Sequence, residues 1–192
     1  MSGIGLVILA AGASTRLGSP KQLLEYRRKT LIYHAVNTAV NSLCEPIVVV
    51  LGAYAKQILP EITSFPVTIA YNQDWNKGMS TSLRVGIETL LTLSPKLDAL
   101  VLMLCDQPFV STSLINQLVE TYHTTKHTIV ASEYAEVIGV PALFAGNFFS
   151  ILSTLQGDRG ARKVIQQFLP AVVRVPFPAG AFDIDTDRKS TR

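Results

Sequence analysis

The stretch Leu9–Leu24 reads LAAGASTRLGSPKQLL and gathers residue types that bind anions. Gly12 permits a bend directly after an apolar run, and successive backbone N–H groups in such a bend can form an anion-binding nest. Ser14, Thr15, Arg16 and Lys21 follow. Arginine offers a planar fork to two phosphate oxygens and lysine a mobile point charge, a pairing suited to a triphosphate that must be bent and neutralised. The spacing fits a polar loop with two solvated cations equally well. It is not the GxxxxGK[ST] phosphate loop, because no Lys-Ser/Thr pair follows Gly18, and it is not GxGxxG.

Two acidic elements could complement these cations. Asp106 opens Asp106-Gln107-Pro108 after an apolar run. A carboxylate at the end of a buried strand can hold a metal ion against phosphate oxygens, or simply end the strand before a proline turn. In Phe182-Asp183-Ile184-Asp185-Thr186-Asp187, alternation puts Asp183 and Asp185 on one side of an extended segment, the alternative being an acidic turn. Gly78 precedes a helix whose first N–H groups attract anions or carbonyl oxygens. Trp75 is expected to pack, Ser80 to cap that helix, and Asp158 to cap the one opened by Gly157-Asp158-Arg159-Gly160-Ala161-Arg162. His34, His123 and His127 fall in helical or loop stretches as surface or packing residues, so no general base is evident.

The elements that must position these groups alternate along the chain. Gly5–Ala11, Pro46–Leu51 and Asp98–Cys105 read as strands buried on both faces, with shorter ones at Val67–Tyr71, Thr128–Ser132 and Val172–Val175. Val137–Phe144 reads as extended but broken by Gly139 and Pro141. Helices are expected over Thr30–Leu43 with Thr30 as N-cap, up to Leu59, and over Met79–Leu93 and Ser111–Thr124. Two more are expected over Asn147–Leu155 and Asp158–Phe168. This is an α/β pattern: a single-domain, Rossmann-like, mostly parallel sheet with helices on both faces, and ligands at the carboxyl ends of its strands. Residues 1–187 are expected to form the one domain and 188–192 a polar tail.

Composition narrows the partners. Of 192 residues, 48% are hydrophobic and 16% charged, which excludes a disordered chain. A net charge of +3, scattered, does not suggest nucleic acid. No run reaches the roughly 18 apolar residues that cross a bilayer. The N-terminus lacks the basic lead of a signal peptide. Cys44 and Cys105 are far apart and outside any CxxC spacing, as buried thiols of a reducing compartment would be. A soluble cytoplasmic protein without a membrane partner is expected.

The motifs together resemble the MobA-like nucleotidyltransferases, which move a nucleoside monophosphate from an NTP to a phosphate-bearing acceptor. LAAGxSxRLGxxK is similar to the family's signature loop, DQP to its metal-binding aspartate element, and Asp183–Thr186 to its DIDT or NINT element. Asn72–Leu83 matches N-x-x-W-x-x-G-x-x-x-S-L, and Gly139–Phe144 and GDRGAR complete the order from about Leu6 to Thr186. The resemblance implies the nucleotide-diphospho-sugar transferase-like fold. It implies nucleotide binding by Leu9, Ala10, Ala11, Gly12, Ser14, Arg16, Lys21, Gly78, Ser82 and Asp106, with Arg16, Lys21 and Asp106 catalytic. It implies Mg2+, or Mn2+ in its place, on Asp106 and Asp183, with Asp185 as second choice.

Gly139, Pro141 and Asp158 would border the acceptor. Ala11-Gly12 stands where guanylyl-transferring members have Gly-Gly and cytidylyl-transferring members Ala-Gly, so CTP is preferred to GTP. Molybdopterin is the first acceptor implied, with an apo-molybdoenzyme as a possible recipient. Val140 departs from the usual Gly-His-Pro or Gly-Asn-Pro, and Asp187-Arg188-Lys189 from the usual Pro-Glu-Asp. Two other readings stay open: a sugar phosphate or another small phosphorylated metabolite as acceptor, and a non-catalytic chaperone that binds nucleotide or the molybdenum cofactor.

Overall fold

Residues 3–13 and 18–181 are described by the computed structural model. The strands are β1 (Gly3–Ala10), β2 (Glu25–Tyr26), β3 (Lys29–Thr30), β4 (Ile47–Leu51), β5 (Thr68–Tyr71), β6 (Leu97–Leu104), β7 (Ile129–Tyr134), β8 (Val137–Ala145) and β9 (Val172–Pro176). The helices are α1 (Leu31–Val40), α2 (Ala55–Ile58), α3 (Met79–Leu93), α4 (Thr112–Thr125), α5 (Phe149–Ser153) and α6 (Ala161–Gln167). The main sheet runs β5-β4-β1-β6-β8-β7-β9, and β2 pairs with β3 apart from it. All main-sheet pairings are parallel except those of β8, which lies antiparallel between β6 and β7.

Side-chain alternation along β1 generates the layers. Ile4, Leu6, Ile8 and Ala10 enter a core with α1 and α4, while Val7, Leu9 and Ala11 enter one with α3, α5 and α6. Both faces of the central strands are therefore dry, which accounts for their unbroken apolar runs. Helix starts follow the expected chemistry at two places. The Thr30 hydroxyl accepts from Tyr33 N–H and the Ser111 hydroxyl from Leu114 N–H.

Two expectations are corrected and one element is new. The strand containing Gly139 and Pro141 is continuous. Its ladder with β7 steps from Ala131–Ala142 to Ser132–Gly139, so Val140 and Pro141 are accommodated as a bulge. The last helix starts at Ala161 with Gly160 as its N-cap residue and no side-chain cap, so Asp158 lies in the preceding turn and does not cap it. The β2–β3 hairpin was not anticipated, because its turn carries Arg27 and Arg28 at φ 49° and 67°, where Asn-Gly is the recognisable signal.

α3 approaches the sheet closely through Gly86. A Cβ there would lie 2.6 Å from Val7 Cγ1 and 3.1 Å from Val50 Cγ2. Both valines are fully buried and branched at Cβ, so neither can rotate away. Gly86→Val is expected to cost about 3 kcal/mol by overpacking, read as a lower urea midpoint at an unchanged slope.

Candidate functional site: two pockets meeting at Asp106

β1 and β6 end side by side. Cys105 N–H donates to the Leu9 carbonyl at 3.3 Å, so the loop after β1 and the turn after β6 leave the sheet together. The sheet's strand order reverses here, β4 lying on one side of β1 and β6 on the other, the arrangement that opens a crevice in α/β sheets.

The crevice is a cleft of about 460 Å³. Its floor is Leu9–Ala13, and Lys21, Gln22, Leu104, Cys105 and Asp106 form one wall. Trp75, Asn76, Gly78, Met79, Ser82 and Asp158 complete the lining. The structure thus brings together Leu9, Ala10, Ala11, Gly12, Lys21, Gly78, Ser82 and Asp106, which sequence reading had singled out from separate parts of the chain. Ser14, Arg16, Asp183 and Asp185 lie outside the described residues.

The far wall is fixed by glycine contacts and one buried amide. Gly78, at φ 108°, rests against the Gly157–Asp158 turn, where a Cβ would lie 2.4 Å from the Gly157 carbonyl carbon. Ser80 N–H donates to the Gly157 carbonyl at 3.1 Å. Of the two partners expected for this helix start, the Ser80 N–H therefore takes a carbonyl oxygen rather than an anion, and Gly78, not Ser80, occupies the cap position. Asn72 is buried, donates to the Thr81 and Ser82 hydroxyls at 2.8 Å each, and accepts from Asp74 N–H at 2.9 Å. This ties the end of β5 to α3 and orients Ser82. Trp75 packs less than expected. Its Cβ lies close over Gly52, but 36% of the residue stays exposed, and Met79 is 42% exposed beside it.

A second pocket of about 350 Å³ shares Leu104 and Asp106 with the first. It exists because β6 and β8 stop pairing at Leu102–Ala142, leaving the ends of the two strands apart. Gln107 bridges the gap by donating to the Val140 carbonyl at 2.9 Å. The walls are Pro108, Phe109, Tyr134, Val137 and Phe177, with the Tyr134 and Phe177 rings edge to face. Gly139 borders this pocket indirectly, since a Cβ on it would meet the Tyr134 hydroxyl at 3.1 Å. The Pro141 carbonyl accepts from the buried Ser132 hydroxyl at 2.7 Å. Asp158, grouped with Gly139 and Pro141 by the sequence, lines the first cleft instead. Gln22, Asn72 and the aromatic walls were missed, because their roles depend on partners distant in sequence.

The titratable groups here are modest in number. Burial pushes the Cys105 thiol up, and the Asp106 charge adds to this while Lys21 opposes it. Cys44, behind the sheet, is pushed up by burial to about 12. Burial raises the Tyr134 hydroxyl too, against the pull of Arg162. No cluster of three or more His, Cys, Asp or Glu side chains that could hold a metal ion is found among the described residues. Asp106 and Asp158 both line the first cleft, and carboxylates are a donor type suited to a divalent cation completed by ligand oxygens. Among the described residues, no helix is long and apolar enough to cross a membrane.

Both thiols should be inert in the folded protein. Iodoacetamide at pH 8 is expected to label neither in the native state and two per chain in urea. Because the unfolded Cys44 thiol ionises near 9.0 and the folded one near 12, its contribution to stability is complete below pH 9 and lost between pH 9 and 12.

Comparison with known proteins agrees with this geometry. The model of the MobA-like NTP transferase domain matches residues 6–172. Nicotine blue oxidoreductase of Paenarthrobacter nicotinovorans is 34% identical over 94% of this chain and 91% of its own. The structure of a Mycobacterium tuberculosis Rv0371c homologue from Mycobacterium sp. strain JC1 superposes with a TM-score of 0.83 at 32% identity, covering 97% of this chain and 92% of that one. Rv0371c from M. tuberculosis H37Rv, solved in complex with manganese, has a TM-score of 0.79 at 27% identity, covering 98% and 97%. With a family match that spans both strand ends and the cleft between them, the chain belongs to the MobA-like NTP transferase domain family.

Proposed function

We propose that this nucleotidyltransferase moves a nucleoside monophosphate, CMP in preference to GMP, from an NTP to the phosphate of molybdopterin and releases pyrophosphate. The observation that carries the reading is the meeting of two pockets at Asp106. One has the Leu9–Ala13 backbone as its floor and Lys21 in its wall. The other is walled by Phe109, Tyr134 and Phe177. Flat aromatic walls favour a heteroaromatic acceptor such as a pterin over a sugar, which would need several convergent hydrogen-bonding side chains. The base preference rests on Ala11 alone.

In the reaction, an oxygen of the acceptor phosphate attacks the α-phosphorus of the NTP. The new O–P bond forms as the bond from the α-phosphorus to the bridging oxygen breaks, and pyrophosphate carries away the electron pair. A phosphate monoester is already anionic at neutral pH, so no general base is required. The chain contributes position and charge. The Ala10–Ala13 backbone and Lys21 hold the triphosphate, with Arg16 assigned to the same anion. Trp75 and Met79 offer apolar surface to the base. Asp106 stands where the two substrates meet, and with Asp183, or Asp185 in its place, would hold Mg2+ or Mn2+. That ion would act as a Lewis acid on the phosphate oxygens. The manganese complex of Rv0371c supports a divalent metal in this fold.

The name of the relative nicotine blue oxidoreductase supports a second reading, in which this chain oxidises or reduces a small molecule. The decisive assay incubates the protein and Mg2+ with each NTP against molybdopterin, sugar phosphates and buffer, following pyrophosphate. CTP turnover that requires molybdopterin is expected. Turnover only with a sugar phosphate replaces the acceptor, and NTP binding without turnover supports a chaperone. Hydride transfer from a reduced nicotinamide to a dye, with no pyrophosphate formed, supports the oxidoreductase.

Asp106→Asn should keep the fold and lose about 10²–10³ in kcat. Near-normal turnover by that variant removes Asp106 from the mechanism. Lys21→Ala should slow the chemical step about 10²-fold. A change confined to acceptor KM would instead take Lys21 off the triphosphate.

A further inference from the structure

We propose that Gln22 is the positioning residue of the nucleotide site, its side-chain amide setting the conformation of the loop that meets the triphosphate. The proposal rests on the NTP reading given above. Gln22 is 3% exposed, in the 3-10 turn Lys21–Leu23. Its Nε2 donates to the Ala10 carbonyl and to the Gly12 carbonyl, each at 2.9 Å. The Ala11 carbonyl between them accepts from Ala53 N–H at 3.2 Å.

Three consecutive carbonyls of the loop are thus engaged within the protein. A carbonyl oxygen turned onto a polyphosphate repels it, whereas the N–H edge of the same peptide attracts it. An amide suits this task because its NH₂ carries two donors in one plane and no net charge. Glutamate would set a carboxylate against two carbonyl oxygens, and methionine would supply no donor.

The cost of the arrangement is visible. Gln22 Oε1 is buried without a hydrogen-bond partner among the described residues, so its lost hydration is not recovered. Flipping the amide would not relieve it, since Oε1 would then face the two carbonyls. The side chain is held for its donors. The same turn couples the loop to the cation. With three residues per 3-10 turn, neighbouring side chains project about 120° apart, so pinning Gln22 inward sets the direction in which Lys21 leaves the backbone, and Lys21 lines the cleft.

The test measures CTP affinity in the presence of Mg2+ by calorimetry, together with KM for CTP and for the acceptor, in Gln22→Met and Gln22→Glu. Gln22→Met should weaken CTP at least tenfold and leave the acceptor KM within twofold. Gln22→Glu should be as weak at pH 8, where the carboxylate faces the carbonyls. At pH 5.5 it should recover at least threefold relative to wild type at that pH, because a protonated carboxyl can donate to one of them. If Gln22→Met fails to fold, the pH ratio of Gln22→Glu decides.

Folded variants that bind CTP within twofold of wild type at pH 8 overturn the proposal. So does a Gln22→Glu protein equally weak at both pH values, which would mark a packing loss rather than a lost donor. A folded wild-type protein that binds none of the four NTPs overturns the nucleotide reading and this proposal together. Wild-type binding with unaffected variants overturns this proposal alone.

Discussion

The hydrogen bond from Cys105 N–H to the Leu9 carbonyl marks the constraint on which the site depends: β1 and β6 must end at the same level of the sheet. Parallel neighbours share strand direction, so both chains leave the sheet at one edge, and their first residues outside it become neighbours. One brings the small residues Ala11–Ala13 and the other a carboxylate. Slipping the register by one residue would exchange the two faces of β1, sending Leu6 and Ile8 into the core that now holds Val7 and Leu9. The core therefore locks the relative height of the loop and of Asp106. Apolar packing far from the cleft decides the geometry inside it.

The antiparallel strand supplies the other half. β8 pairs with β6 only through Ala142–Ala145, and the Val140-Pro141 bulge carries the rest of it away from the end of β6. The gap becomes the second pocket, spanned by the bond from Gln107 to Val140. The side-chain amides of Gln22 and Gln107 are held by backbone carbonyls on either side of Asp106. Gln22 and Gln107 each follow a charged residue, Gln22 donating to two carbonyls and Gln107 to one, and each leaves a buried Oε1 without a partner among the described residues. Such unpaired atoms cost stability and concentrate where a structure serves a ligand rather than itself. Gly78 follows the same logic, because no side chain fits where it meets Gly157.

Much of this was legible beforehand, for identifiable reasons. The apolar runs of β1, β4 and β6 are buried on both faces and cannot be hidden by alternation. Thr30 and Ser111 act locally as caps, and local chemistry is readable one residue at a time. What was misread depended on neighbours. Pro141 looked like a strand break because the bulge that accommodates it is formed with β7, a partner seen only in the fold. Asp158 looked like a cap because its motif precedes a helix, yet the helix starts at Ala161 and the turn packs on Gly78. The hairpin turn escaped notice because arginines hold left-handed positions there.

By itself the sequence determined the α/β alternation, the anion-binding composition of Leu9–Leu24 and the carboxylate after the third strong strand. Each of these is carried by residue type and short spacing. Only the tertiary structure decided that Asp106 stands between two pockets, that Asp158 belongs to the first and that the second is aromatic. It also decided that Gln22 ties the Ala10 and Gly12 carbonyls of the loop. The reason is physical: a hydrogen bond or a pocket wall is a relation between groups, and strand order sets which distant groups meet. The sequence specifies that order through the core it buries, but the contacts that follow from it exist only once the sheet is assembled.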